Sequence, residues 1–131
     1  MAKSNEDIEG YLRKLERRFE KLDESTYLVA AGQNQPPVAV KLAPPVLVVQ
    51  VRIGAVPTGD PAREAKLFRR LLELNASALL HAAYGVEGND MVLGAALELD
   101  NLDMNELEAV LADVDMALAE HIPTLREIAQ K

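Results

Sequence analysis

Apolar residues recur near the start of the chain at spacings of three and four. Ile8, Tyr11, Leu12, Leu15, Phe19 and Leu22 fall on one helical stripe. The spacing predicts an amphipathic helix over 4–24, opened by Ser4 with Asp7 three positions on, in the manner of a capping box. The period then changes. In "TYLVAAGQNQPPVAVKLAPPVLVVQVRIGAV" β-branched runs alternate with turn-forming clusters, which predicts strands over about 26–31, 37–42 and 46–54. Prolines 36, 37, 44 and 45 fall between these strands, where a missing N–H breaks no ladder bond. In the third strand Leu47, Val49, Val51 and Ile53 share one face, and Val48, Gln50 and Arg52 the other. One buried face and one partly wet face are expected.

Helical spacing returns after Asp60, an N-cap followed by Pro61 at the first helical position, where proline's missing donor is not needed. The helix predicted over about 61–75 carries Leu67, Phe68, Leu71, Leu72 and Leu74, a stripe wider than one contact face requires. "ALLHAAYGV" and "MVLGAALEL" flank the polar tip "EGND" and predict a hairpin turning at Gly88 and Asn89. Asp103 and Glu106 form a second capping box, ahead of a helix with Leu107, Val110, Leu111, Val114 and Leu118 on one stripe. Pro123 ends or kinks it near His121, and Ile122, Leu125 and Ile128 form a last turn or a short extra helix. The order α-β-β-β-α-β-β-α predicts one α+β domain over 1–131, a five-stranded antiparallel sheet with helices packed against it.

The last hairpin is apolar on both faces. Met91, Leu93, Ala95 and Leu97 alternate with Val92, Gly94 and Ala96, whereas a sheet wet on one side shows charge at every second residue. Both faces are therefore expected to be covered. The first and last helices serve one face, the second helix part of the other, and a second copy of the chain is the simplest further cover. The candidate dimer or partner interface comprises Leu67, Phe68, Leu71, Leu80, Tyr84 and Val92.

Composition narrows the setting. A length of 131 residues with 49% hydrophobic residues suits a single core. The absence of cysteine excludes disulfides, thiolate metal sites and thiol nucleophiles, and makes a reducing cytoplasm the expected location. Charges run throughout the N-terminal segment, so no signal peptide is expected there, and no stretch approaches the roughly 20 apolar residues of a membrane span. The net charge of −7 is concentrated at the end, where residues 89–131 hold two basic and ten acidic groups. An acidic chain repels polyphosphate, so no nucleic-acid partner is expected.

No residue set points to catalysis, a cofactor or a metal. On a strand, His81 would share its face with Leu79, Ala83 and Gly85, which supply neither a nucleophile nor an orienting carboxylate. His121, near a helix C-terminus, is placed favourably for the helix dipole and needs no other role. The acidic "LDNLDMNELE" lacks the EF-hand spacing, since counting from Asp100 puts Leu102, Met104 and Asn105 at the third, fifth and sixth positions. Asp113 and Asp115 diverge on their helix and cannot clamp one ion. Lys14, Arg17, Arg18 and Lys21 form a basic stripe, offset by Glu9, Glu16 and Glu20 beside it. Asp113, Asp115 and Glu120 on the last long helix are complementary to that stripe, so packing of both helices on one face should bring the two charges together.

"LLELNASALLHAAYGVEGNDMVLGAALELDNLDMNELEAVLADVDMAL" runs from the second helix through the hairpin into the last long helix. With the element order, this stretch resembles the type III secretion chaperone-like fold, which includes CesT/Tir-type chaperones and YbjN-type sensory transduction regulators. The match is close over about 60–122 and rests on element order before that. The resemblance implies a homodimer joined through the second helix and neighbouring strands, with no catalysis and with an extended client segment held on apolar patches. The alternative it implies is a YbjN-like regulatory protein acting through protein–protein contacts.

Overall fold

The structure, a computed structural model, describes residues 2–32 and 34–130. Ser4 and Asp7 form the reciprocal capping box of α1 (Asn5–Lys14), which buries Ile8 and Leu12 completely. The helix stops well short of the predicted Glu24. At Glu16 the backbone turns left-handed, with φ +57°, and the Arg17 N–H reaches back to the Leu12 carbonyl at 2.9 Å, a Schellman-type closure. Phe19–Lys21 then forms a short strand, β1, paired antiparallel with β2 (Thr26–Val29). Phe19 suits either periodicity. The strand wins because its ring meets Tyr27 edge-on at 5.6 Å while the backbone joins a ladder, and Leu22, left outside, is 59% exposed. The sheet accordingly has six strands, one more than predicted.

β3 (Val38–Ala43) and β4 (Val46–Ala55) are joined at Pro44–Pro45 through a cis peptide bond. α2 (Pro61–Ser77) follows, capped by Asp60, and then β5 (Ala83–Glu87) and β6 (Asp90–Glu98), with Gly88 turning between them at φ +62°. α3 (Met104–Glu120) opens on the capping box of Asp103 and Glu106, and α4 (Ile122–Gln130) is a separate short helix. The strand order is β1-β2-β3-β4-β6-β5, with every neighbouring pair antiparallel. Glycine is required in the middle of β6. A Cβ on Gly94 would stand 2.7 Å from the Val49 carbonyl oxygen of β4.

The buried strand positions all lie on one face, where Tyr27, Val40, Leu47, Val49, Val51 and Leu93 meet Leu107, Val110, Leu111, Val114 and Leu118 of α3 and Ile122 and Leu125 of α4. The other face stays half open, with Val48, Gln50, Val92 and Gly94 partly buried and Lys41, Arg52 and Ala96 exposed. Contrary to expectation, α2 does not shield that face. It lies beside β5 and against α4, on the edge of the sheet. The last hairpin is also shorter than predicted, because the strand begins at Ala83 and residues 78–82 form an irregular joint between α2 and β5.

Candidate protein-binding surface

The joint is built around one carboxylate. Asp113 projects from α3 and is only 8% exposed, and it receives the backbone N–H groups of Leu80, His81 and Ala82 at 3.2, 2.9 and 2.8 Å. Three donors on one ionised acceptor replace the ladder that these residues lack, and they compensate a charge that burial would otherwise penalise. Two residues further on, the Asn75 side chain binds the edge of β5. Its Oδ1 accepts the Tyr84 N–H at 2.7 Å and its Nδ2 donates to the Tyr84 carbonyl at 3.0 Å. Tyr84 points into the core and its hydroxyl meets His121 Nδ1 at 2.8 Å. Burial, with a smaller contribution from the Asp113 charge, raises the Tyr84 hydroxyl pKa well above the ordinary phenol range. Burial likewise lowers the His121 pKa, partly opposed by Glu120. Asn75, Tyr84, Asp113 and His121 thus tie α2, the joint, β5 and α3 together, a structural arrangement that accounts for their proximity.

His81 lies in the joint, not on a strand. Its side chain is exposed and its contribution to the joint is a main-chain N–H. Asp113 and Asp115 diverge as expected, but Asp113 faces inward, so of the two Asp115 reaches the basic stripe, at Arg17 in the turn that follows α1. Arg17 Nη2 meets Asp115 Oδ2 at 2.6 Å. Of the other basic residues, Arg13 and Lys21 face Glu9 at 3.2 and 3.9 Å. Among the described residues no group of three His, Asp or Glu side chains could hold a metal ion, and no helix is long and apolar enough to cross a membrane.

Three large apolar side chains around the joint remain exposed. Leu72, Leu80 and Val86 are 68%, 86% and 46% exposed. They come from α2, the joint and β5. Of the positions singled out in the sequence, Leu67, Leu71 and Tyr84 are buried in the chain's own core, Phe68 and Val92 are half-buried, and Leu80 is open to solvent. Phe68, Leu72, Gly85 and Val86 line a shallow groove between α2 and β5, with Leu71, Asn75 and Tyr84 at its base. α2 is unusual in having a second stripe. Leu67, Leu71 and Leu74 face the core, while Ala65, Arg69, Leu72 and Ala76, at spacings of four, three and four, lie on the opposite side and are all exposed. Leu72 and Val86 were not among the candidates. The excess width of the α2 stripe was the available signal for Leu72, and nothing in the local pattern marked Val86.

A protein-family model, CesT_Tir_1, matches residues 1–131. No curated protein shows significant sequence similarity to the chain. Among solved structures, a chain of the heterodimeric ExoU–SpcU complex from the type III secretion system of Pseudomonas aeruginosa superposes with a TM-score of 0.68 at 19% identity, covering 94% of this chain and 98% of that one. The structure of the Yersinia pestis type III secretion chaperone SycH with a stable fragment of YscM2 matches with a TM-score of 0.59 at 16% identity, covering 92% and 97%. YbjN from E. coli matches at 0.60 and 13% identity, covering 91% and 94%. The six-stranded sheet and its helices are therefore the type III secretion chaperone-like fold.

Proposed function

Because the chain belongs to the CesT_Tir_1 family, we propose that it is a homodimeric, chaperone-like protein that holds an extended segment of a client protein and catalyses no reaction. The observation that carries this reading is the second, outward stripe of α2 together with the open groove beside it. A monomer gains nothing from presenting Leu72, Leu80 and Val86 to water, and exposed apolar side chains on the adjoining α2, joint and β5 suit a partner. The surface is also self-complementary. On a two-fold axis perpendicular to α2 the paired helices run antiparallel, and Arg69 and Glu73 lie symmetrically about position 71. Each Arg69 then comes opposite the partner's Glu73, while Ala65 and Ala76 allow the two helices to approach closely. Both charged side chains already reach toward each other within one helix, at 3.7 Å, so the exchange needs only rotamer changes.

Dimerisation through α2 would leave the half-open sheet face, with Val48, Val92 and Gly94, outside the seam and available to a client. The protein-bound states of the ExoU–SpcU and SycH–YscM2 structures support a protein as the partner. A second reading, a YbjN-like regulatory protein, is favoured by the fold shared with YbjN. It uses the same dimer and differs in what is bound. Light scattering at low micromolar concentration tests the assembly, with twice the 14.3 kDa chain mass expected. Identification of the chain that co-purifies from the source cells, followed by titration with a synthetic peptide covering its contact segment, tests the client. Binding by the isolated, unstructured peptide supports the chaperone reading, and binding only by a folded domain supports the regulatory one. A monomeric protein would remove the dimer from the proposal.

A further inference from the structure

The α2–β5 joint raises a question that core packing does not answer. A carboxylate at position 113 borders the apolar stripe of α3, where a burial cost is incurred unless every acceptor site is used, and no cation is paired with it among the described residues. Its bonds all go to the backbone of three consecutive residues. Of these, Leu80 has the most exposed large apolar side chain among the described residues, at 86%.

We infer that Asp113 is a positioning residue for the contact between subunits: by gathering the N–H groups of Leu80, His81 and Ala82 it fixes the α2–β5 joint so that Leu80 projects toward a second copy. This inference rests on the homodimer reading above. The chain of causes is local. The Ala78 and Leu79 N–H groups both return to the Leu74 carbonyl, at 2.9 and 3.2 Å, so α2 ends there and the next three N–H groups have no helical acceptor. Leu79 and Ala82 turn inward, at 9% and 8% exposure, while Leu80 and His81 turn out. With both ends of the joint anchored in the core, the main chain of residues 80–82 faces α3, and Asp113 is the acceptor waiting there. An anchored joint also lowers the entropy lost on association, because Leu80 is ordered before the partner arrives.

The exposed edge of α2 explains the choice of occupant. On a two-fold centred near position 71, the C-terminal end of α2 lies against the partner's N-terminal half, so the joint that follows α2 belongs to the same seam as the Arg69–Glu73 exchange. A client would have no reason to match that symmetry.

The test is a double-mutant cycle on the full chain. Sedimentation equilibrium gives the dimer dissociation constant of wild type, Asp113→Asn, Leu80→Ala and the double variant, and hydrogen exchange reads the amides of residues 80–82. Asparagine keeps one acceptor oxygen and nearly the same volume, so it limits the risk of unfolding that Asp113→Ala carries. Expected are roughly tenfold weaker dimers for each single variant and less than about twofold further weakening in the double variant, since one residue acts through the other. The amides of 80–82 should exchange faster in Asp113→Asn while those of β4 and β6 keep their protection. Independent, multiplying effects would overturn the inference, and so would an unchanged dimer constant with faster exchange at 80–82. A wild-type protein that is monomeric throughout would overturn the homodimer reading and this inference with it, whereas a wild-type dimer insensitive to Asp113 overturns this inference alone.

Discussion

Replacing Leu72 with alanine isolates the outward stripe of α2 from the inward one. Leu72 is 68% exposed in the single chain, so about two-thirds of its apolar area is still available for burial. Complete burial of a leucine side chain contributes ~1.5–3 kcal/mol, which leaves ~1–2 kcal/mol for the part exposed here. In the proposed homodimer the two-fold axis counts the residue twice, so the dimer should lose ~2–4 kcal/mol, or between ~30-fold and ~1000-fold in its dissociation constant. The monomer should lose little, because surface changes away from buried features stay within ~0.5 kcal/mol. Sedimentation equilibrium from nanomolar to high micromolar protein measures the first quantity. Urea unfolding at a concentration where both proteins are monomeric measures the second. A dimer of unchanged affinity would refute the placement of Leu72 at the seam, and a large loss in monomer stability would mean that α2 is packed differently from the description above.

Gly94→Ala should destabilise the fold by ~1–3 kcal/mol, since the added methyl meets main chain that cannot yield easily. A thermal melt with an unchanged midpoint would contradict the close approach of β4 and β6. Arg17→Glu should lower the melting temperature more at low salt than in ~1 M salt, where the Debye length is ~3 Å, because it sets like charges together at Asp115. Arg18→Glu, with an exposed side chain, serves as the control and should show no such difference. His121 holds fewer protons in the folded than in the unfolded state, its folded pKa lying below the ordinary 6.5. Stability should therefore be fully present above pH 6.5 and decline as pH falls from there through the lower folded value, and His121→Asn should flatten that slope in a pH series of melts.

The elements bounded by strong local chemistry were legible in the sequence. Asp60 with Pro61 and Asp103 with Glu106 start α2 and α3 where the spacing places them, and the prolines at 44 and 45 separate β3 from β4. Failures occurred where distant residues decide. Phe19 continues a helical spacing and leaves the helix only because Tyr27 and β2 receive it. "ALLHA" looks like a strand because it lacks polar punctuation, and it becomes a joint because Asp113, more than thirty positions away, accepts its N–H groups. The outward side of α2 could not be chosen from the pattern either. Leucines lie on both sides of the helix, so Leu67 and Leu71 were as good candidates as Leu72 until packing separated them.

Asn75 bears on a hazard that faces any protein displaying strands. The outer edge of a sheet is a template, and a chain that meets extended, sticky segments is exposed to being knitted into them. By bonding both the N–H and the carbonyl of Tyr84, the amide of Asn75 acts as a one-residue strand that terminates the sheet at β5. A segment arriving at that edge must first evict a side chain anchored on α2, and it gains no net hydrogen bond at Tyr84 by doing so. Loss of this stopper, as in Asn75→Ala, would convert the last strand into a growing end, and its effect would be read as fibre formation under prolonged incubation before any loss of fold.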